Sequence, residues 1–175
     1  MSIRSRNFLS FGIIFLLFLI FGTIQIVNLT SQVKQLEEIK EKTLQSALLA
    51  DQLKLSVVQV QQYLSDISAT RAQDGFDDGF KLAEAHSKLF YRDLEKLKEL
   101  HPTEAKELDA IKLSFDSYYE MGQKMANQYI QAGTEKGNEI MPLFDKNSLD
   151  INRKVDDYQK NIYLALINHY RIFMI

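Results

Sequence analysis

Polar and apolar residues are distributed along this chain in two different ways. From Phe8 to Val27 the sequence reads FLSFGIIFLLFLIFGTIQIV, without a charge and without a polar face. Beyond it, apolar residues return every three or four positions and charged residues fill the spaces between. The first pattern predicts a helix greasy on all sides. The second predicts amphipathic helices that pack through one stripe each.

The stripes alternate steps of four and three, the seam of helices in a bundle or coiled coil. One runs Ile39, Thr43, Ser46, Ala50, Leu53, Val57, Val60, Leu64, Ile67, Arg71. AQDGFDDG (72–79) interrupts it with turn residues. The second stripe is Phe80, Ala83, Ser87, Phe90, Leu94 and Leu97, and DLEKLKEL (93–100) reads as its solvated charged face. Pro102 disfavours helical geometry at His101, and Thr103 can cap the next helix. The third stripe is Leu108, Ile111, Phe115, Tyr118, Gly122, Met125, Tyr129 and Ala132. AGTEKGN (132–138) reads as a loop. The last stripe is Phe144, Ser148, Ile151, Val155, Tyr158, Ile162, Ala165, His169 and Ile172, with Pro142 near its start.

The predicted fold class is all-α: an N-terminal transmembrane helix continuing into an up-down-up-down four-helix bundle. Residues 1–7 are expected in the cytoplasm, 8–28 in the membrane, and 29–175 in an exported domain with helices at about 29–72, 79–100, 103–132 and 139–174. No proline or glycine interrupts 28–73, so the membrane helix is free to continue into the first bundle helix.

About 20 apolar residues cross a hydrocarbon layer of roughly 30 Å. A cleaved signal peptide would have a shorter apolar core and a small-x-small site, and FGTIQIVNLTSQV offers none that convinces. A buried soluble helix would need a polar side. Arg4 and Arg6 precede the span and Lys34 alone follows it closely, so the positive-inside rule exports everything from about Leu29 onward. The expected topology is single-pass, with the bulk of the chain extracytoplasmic.

Composition removes several classes. At 175 residues this is one domain's worth of chain. Without cysteine it forms no disulfide scaffold, thiolate metal site or thiol nucleophile. Seven glycines and two prolines are too few for the turns of an all-β chain. A net charge of −2 without a basic stripe excludes nucleic acid as the expected partner. An enzyme is not expected: the sequence lacks a P-loop, G-x-S-x-G, H-E-x-x-H and the Glu-x-x-His pairs of di-iron bundles. No cofactor and no resident metal are expected.

The anchor, long helix, hairpin and returning helix resemble the ligand-binding region of bacterial methyl-accepting chemotaxis receptors and related one-component sensors. LSVVQVQQYLSDISATRAQDGFDDGFKLAEAHSKLF (55–90) is the stretch most similar to such domains. The resemblance implies a bacterial inner-membrane protein, single-pass as given, whose periplasmic domain binds a small solute near the membrane-distal tip, often between helices of a homodimer, and shifts its last helix against its first. Receptors of this kind continue into a second membrane helix, a HAMP linker and a cytoplasmic coiled coil. This sequence ends on LALINHYRIFMI, where that second membrane helix is due, and reads as truncated before it.

The candidate ligand residues are Arg71, Ser68, Gln61 and Tyr129. Arg71 takes a seam position where leucine is ordinary, and Gln61 and Ser68 add polar groups beside Leu64. A guanidinium there can grip the carboxylate of an amino acid or organic acid bidentately, with Tyr129 as a wall. The alternative places Arg71 beside the loop, pointing into water. Asp74, Asp77 and Asp78 lack the ligand ladder of a calcium loop. His86 is expected at the surface and His169 packed on a seam. Three functional classes remain: the input module of a receptor, a membrane-tethered partner of intact receptors, and a tethered structural or dimerisation module that binds no small molecule.

Overall fold

The computed structural model of the chain describes residues 3–173, which are all-helical and without strands. Helix α1 spans Ile3–Thr70, α2 Gly79–Leu100, α3 Ala105–Ala132 and α4 Thr134–Phe173, with a 3₁₀ turn at Pro102–Glu104. Contacts divide the chain into two units, Met1–Glu41 and Lys42–Ile175, with the division falling inside α1.

In the first unit, Phe11–Lys34 is a helix long and apolar enough to cross a membrane, with a mean hydropathy of 2.3 and none of it buried. Both of its threonine hydroxyls are taken up locally. Thr23 Oγ1 donates to the Leu19 carbonyl and Thr30 Oγ1 to the Ile26 carbonyl, each at 2.8 Å. Back-bonding of this kind hides a polar group that would be costly to expose to hydrocarbon.

The second unit is organised by the predicted seams. Every member of the first stripe from Thr43 to Ile67 is buried, as are Ala83, Ser87, Phe90, Leu94 and Leu97 on α2. Leu108 to Tyr129 on α3 and Phe144 to Ile162 on α4 are buried at the expected positions too. The side chains of Ile39, His169 and Ile172 lie outside the described residues. Aromatic rings link three helices at the centre. Phe90 stacks on Phe115 at 3.7 Å between centroids, and Tyr118 stacks on Phe144 at 5.3 Å. Gly122 makes room for this: a Cβ there would lie 2.6 Å from Leu64 Cδ1 and 2.7 Å from Phe144 Cε2.

Polar pairs fix the register between helices. From α1 to α4 they are Gln61 with Ser148, Lys54 with Asp156, and Asp51 with Gln159 and Tyr163. Positions fall along α1 as they rise along α4. Lys98–Asp109 and Tyr91–Asp116 do the same between α2 and α3. Tyr118 Oη donates to the Val57 carbonyl at 2.9 Å, and its complete burial pushes the phenol well above its ordinary pKa.

Three details differ from the sequence reading. The α3–α4 connection is one residue, not a loop over 132–138. Gly133, at φ +86° and ψ −177°, takes a backbone conformation almost confined to glycine. The chain therefore turns there, α4 starts at Thr134 rather than near 139, and Gly137 lies inside it against the Tyr129 ring. Pro142 stays within the helix. Asp93 is not part of the solvated face: it is 1% exposed and receives both Nε and Nη2 of Arg92, at 2.8 and 3.0 Å. Finally, α1 stops at Thr70, which changes the setting of Arg71.

Candidate functional site

The end of α1 is held by its own backbone and one hydroxyl. The Ala72 amide donates to the Ile67 carbonyl at 3.3 Å, and Arg71 and Ala72 both take positive φ, +50° and +52°. Left-handed backbone costs about 1–2 kcal/mol per non-glycine residue, so surrounding contacts must hold the turn. Thr70 Oγ1 bonds the Asp66 carbonyl at 3.0 Å and the Phe76 carbonyl at 3.3 Å, while the Phe76 amide donates to the Gln73 carbonyl at 2.8 Å. The loop is thereby tied back onto the last turn of α1. Gly79 then opens α2 in close approach: a Cβ there would meet Ile67 Cβ and the Tyr63 carbonyl, each at 2.7 Å.

These elements border an open pocket of about 380 Å³ lined by Tyr63, Asp66, Ile67, Ala69, Thr70, Phe76, Asp78, Gly79 and Leu82. It falls within the usual size range for small-molecule pockets, toward the small end. Behind its wall, His86 packs on Tyr63 with ring centroids 5.6 Å apart. His86 is half-buried rather than at the surface, and its buried Nδ1 has no hydrogen-bond partner.

The four sequence candidates do not line this cavity, and three of them are engaged elsewhere. Arg71 is off the seam, because α1 ends one residue before it, and its side chain is exposed. Ser68 is buried and donates to the Leu64 carbonyl at 2.5 Å. Gln61 accepts from Ser148 Oγ at 3.0 Å. Tyr129 donates to Asn138 Oδ1 on α4 and is buried. Asp74, Asp77 and Asp78 do not gather with other donors into a metal-binding group among the described residues.

Two further polar clusters sit between helices. His101 Nε2 lies 2.6 Å from Ser46 Oγ, and its Nδ1 is 3.6 Å from Glu104, which also accepts from Tyr158 Oη at 3.0 Å. Burial depresses the His101 pKa; Glu104 opposes that shift and Lys42 adds to it. In the α3–α4 groove, Lys154 Nζ donates to Ser114 Oγ and, at 2.8 Å, to Asp150 Oδ2. Hydrogen bonds from Lys154 and Ser114 hold the Asp150 carboxyl below its usual range against the opposing effect of burial.

The chain matches no family model, no curated protein and no solved structure.

Proposed function

We propose that the chain is the input part of a membrane-anchored signal transducer of the chemoreceptor kind. It sits in a bacterial inner membrane with its N-terminus inside and 29–175 outside. The helices of its second unit form an up-down-up-down bundle, in keeping with the opposed register of the α1–α4 and α2–α3 pairs. The observation that carries the reading is that one helix, α1, contains both the membrane-length apolar window and a wall of the cavity at the α1–α2 turn. A solute filling that cavity draws the 71–78 loop and α2 onto the end of α1. The polar pairs to α4 convert this into a shift of α4 against α1.

The test uses the absence of cysteine from the chain. Single-cysteine variants Gln73→Cys and Asn7→Cys are exposed to a membrane-impermeant maleimide on intact spheroplasts. The proposal expects labelling at 73 at once and at 7 only after lysis. The reverse pattern, or a chain recovered in the soluble fraction, refutes it.

A second reading is favoured by one observation. Leu44, Leu48, Leu55 and Val58 are exposed on α1 at heptad spacing, on a face the core does not use. A tethered module that pairs through this face, as a homodimer or with an intact receptor, needs no small molecule. Cysteines at 48 and 55 that cross-link between copies, together with a melting temperature unmoved by any solute, select this reading.

A further inference from the structure

The connection between α1 and α2 holds the dipeptide Asp-Gly twice, at Asp74–Gly75 and at Asp78–Gly79. In this dipeptide the backbone nitrogen after the aspartate can reach the side-chain carboxyl, because glycine sets no Cβ beside it. Ring closure demands that the peptide plane between the two residues swing round until its nitrogen faces Cγ. The two copies differ in that freedom. Asp74 and Gly75 are exposed, and neither the Asp74 carbonyl nor the Gly75 amide is hydrogen-bonded among the described residues. Gly75 takes φ +84°, the third position of a turn closed by the Phe76 amide on the Gln73 carbonyl at 2.8 Å, and nothing lies within 4 Å of where its Cβ would stand. At Asp78–Gly79 the plane is fixed. Asp78 already has helical geometry, φ −84° and ψ −4°, and its carbonyl accepts from the Leu82 amide at 3.0 Å. Gly79 is buried, with the Tyr63 carbonyl and Ile67 Cβ each 2.7 Å from the place of a Cβ. Turning that plane breaks the first bond of α2 and drives its backbone into α1.

We infer that Asp74 is a site of spontaneous covalent modification, isomerisation to isoaspartate through a cyclic imide, and that Asp78 is spared. The Gly75 nitrogen attacks Cγ of Asp74, an N–Cγ bond forms, and the carboxyl hydroxyl leaves with the amide proton as water. Water then opens the imide. Cleavage at Cγ restores aspartate. Cleavage at the main-chain carbonyl of Asp74 leaves Gly75 joined through Cγ and frees the α-carboxylate. Atoms and charge balance, and no oxidant or cofactor is consumed. Carboxylic acids react this way in their protonated form, so mild acid speeds the step. The product has one more carbon in the main chain between Gln73 and Phe76. The Phe76–Gln73 bond then no longer fits, and Thr70 loses the geometry by which its hydroxyl holds the Phe76 carbonyl. The α1–α2 turn loosens with age while α2 keeps its start.

The full chain in nanodiscs is aged at 37 °C, at pH 5 and at pH 8, and then cut with trypsin. Arg71 and Lys81 bound the peptide AQDGFDDGFK, which carries both Asp-Gly pairs. Electron-transfer fragmentation tells isoaspartate from aspartate at each position. Isoaspartate is expected to accumulate at 74, faster at pH 5 than at pH 8, while 78 remains aspartate. The chain aged unfolded in guanidinium chloride converts both. Equal rates at 74 and 78 in the folded chain, or no conversion at 74, overturn the inference. Sparing of 78 in guanidinium as well shows that the fold is not what protects it, and overturns the structural argument. Asp74→Glu, at an exposed position, would need a larger ring and stays unconverted. Its melting temperature holds over the same period, whereas that of the aged parent falls by roughly 4 °C, the loss of one hydrogen bond. A parent converted at 74 that melts like the fresh chain overturns the loosening of the turn.

Discussion

Removal of one oxygen tests how α3 is fastened to α1. Tyr118 is fully buried, and its hydroxyl donates to the Val57 carbonyl at 2.9 Å, its one partner among the described residues. Tyr118→Phe leaves the ring on Phe144 and deletes only that bond. Val57 lies mid-helix, so its carbonyl keeps the bond of its own helix and is not stranded. The cost is then the net worth of a neutral hydrogen bond, about 1 kcal/mol. For a unit the size of Lys42–Ile175 that corresponds to a fall of roughly 4 °C in melting temperature. Tyr118→Ala removes the ring as well and opens a cavity beside Phe115 and Phe144, at a cost of about 3–5 kcal/mol. Thermal melts followed by circular dichroism at 222 nm resolve the two. A Tyr118→Phe variant that melts at or above the parent refutes the argument, because it would mean that Val57 and Tyr118 are not joined. Equal losses in both variants would refute it differently, by placing the energy in the hydroxyl rather than the ring.

Other expectations are simpler. Gly133→Ala forces a side chain into a glycine conformation and costs about 1–3 kcal/mol, measurable by urea unfolding. His101 has a depressed pKa when folded, so the unfolded chain binds its proton first as pH falls. Stability is therefore fully present above about pH 6.5 and declines below it as pH falls toward the folded pKa; His101→Gln flattens that part of the stability–pH curve. The Lys54–Asp156 pair is close to half exposed on both sides, and a double-mutant cycle on it gives under about 1 kcal/mol, fading with salt. A coupling of several kcal/mol would show that this pair is shielded in solution.

Seams were legible because burial of one stripe leaves a direct trace in the spacing of apolar residues. The ends of helices were less so. Arg71 reads as a continuation of the α1 stripe because nothing before Gly75 signals a stop, yet Arg71 and Ala72 themselves take the left-handed conformations. At the other end of α3 the opposite happens: two glycines suggest a loop, but only Gly133 is used to turn. The cavity was harder still. Tyr63, Asp66 and Ala69 lie off the α1 seam, and they become a wall only when the loop folds back and brings Phe76 and Asp78 beside them. Seam periodicity carries no information about residues that meet this way. The unpaired His86 nitrogen is likewise a property of packing, since sequence alone shows one histidine on an amphipathic helix.

Asp51 engages two residues of α4, Gln159 and Tyr163, which stand one helical turn apart. The other two α1–α4 links, Gln61–Ser148 and Lys54–Asp156, each have a single mate. Shear of the helices by part of a turn strains both single links at once, but Asp51 can keep hold of one mate while letting go of the other. Loss of either bond therefore leaves Asp51 tied to α4 by the other, a redundancy that the single-mate links lack. Asp51→Ala removes both bonds and leaves Gln61–Ser148 and Lys54–Asp156 in place, which separates the contribution of the doubled link from that of the single ones.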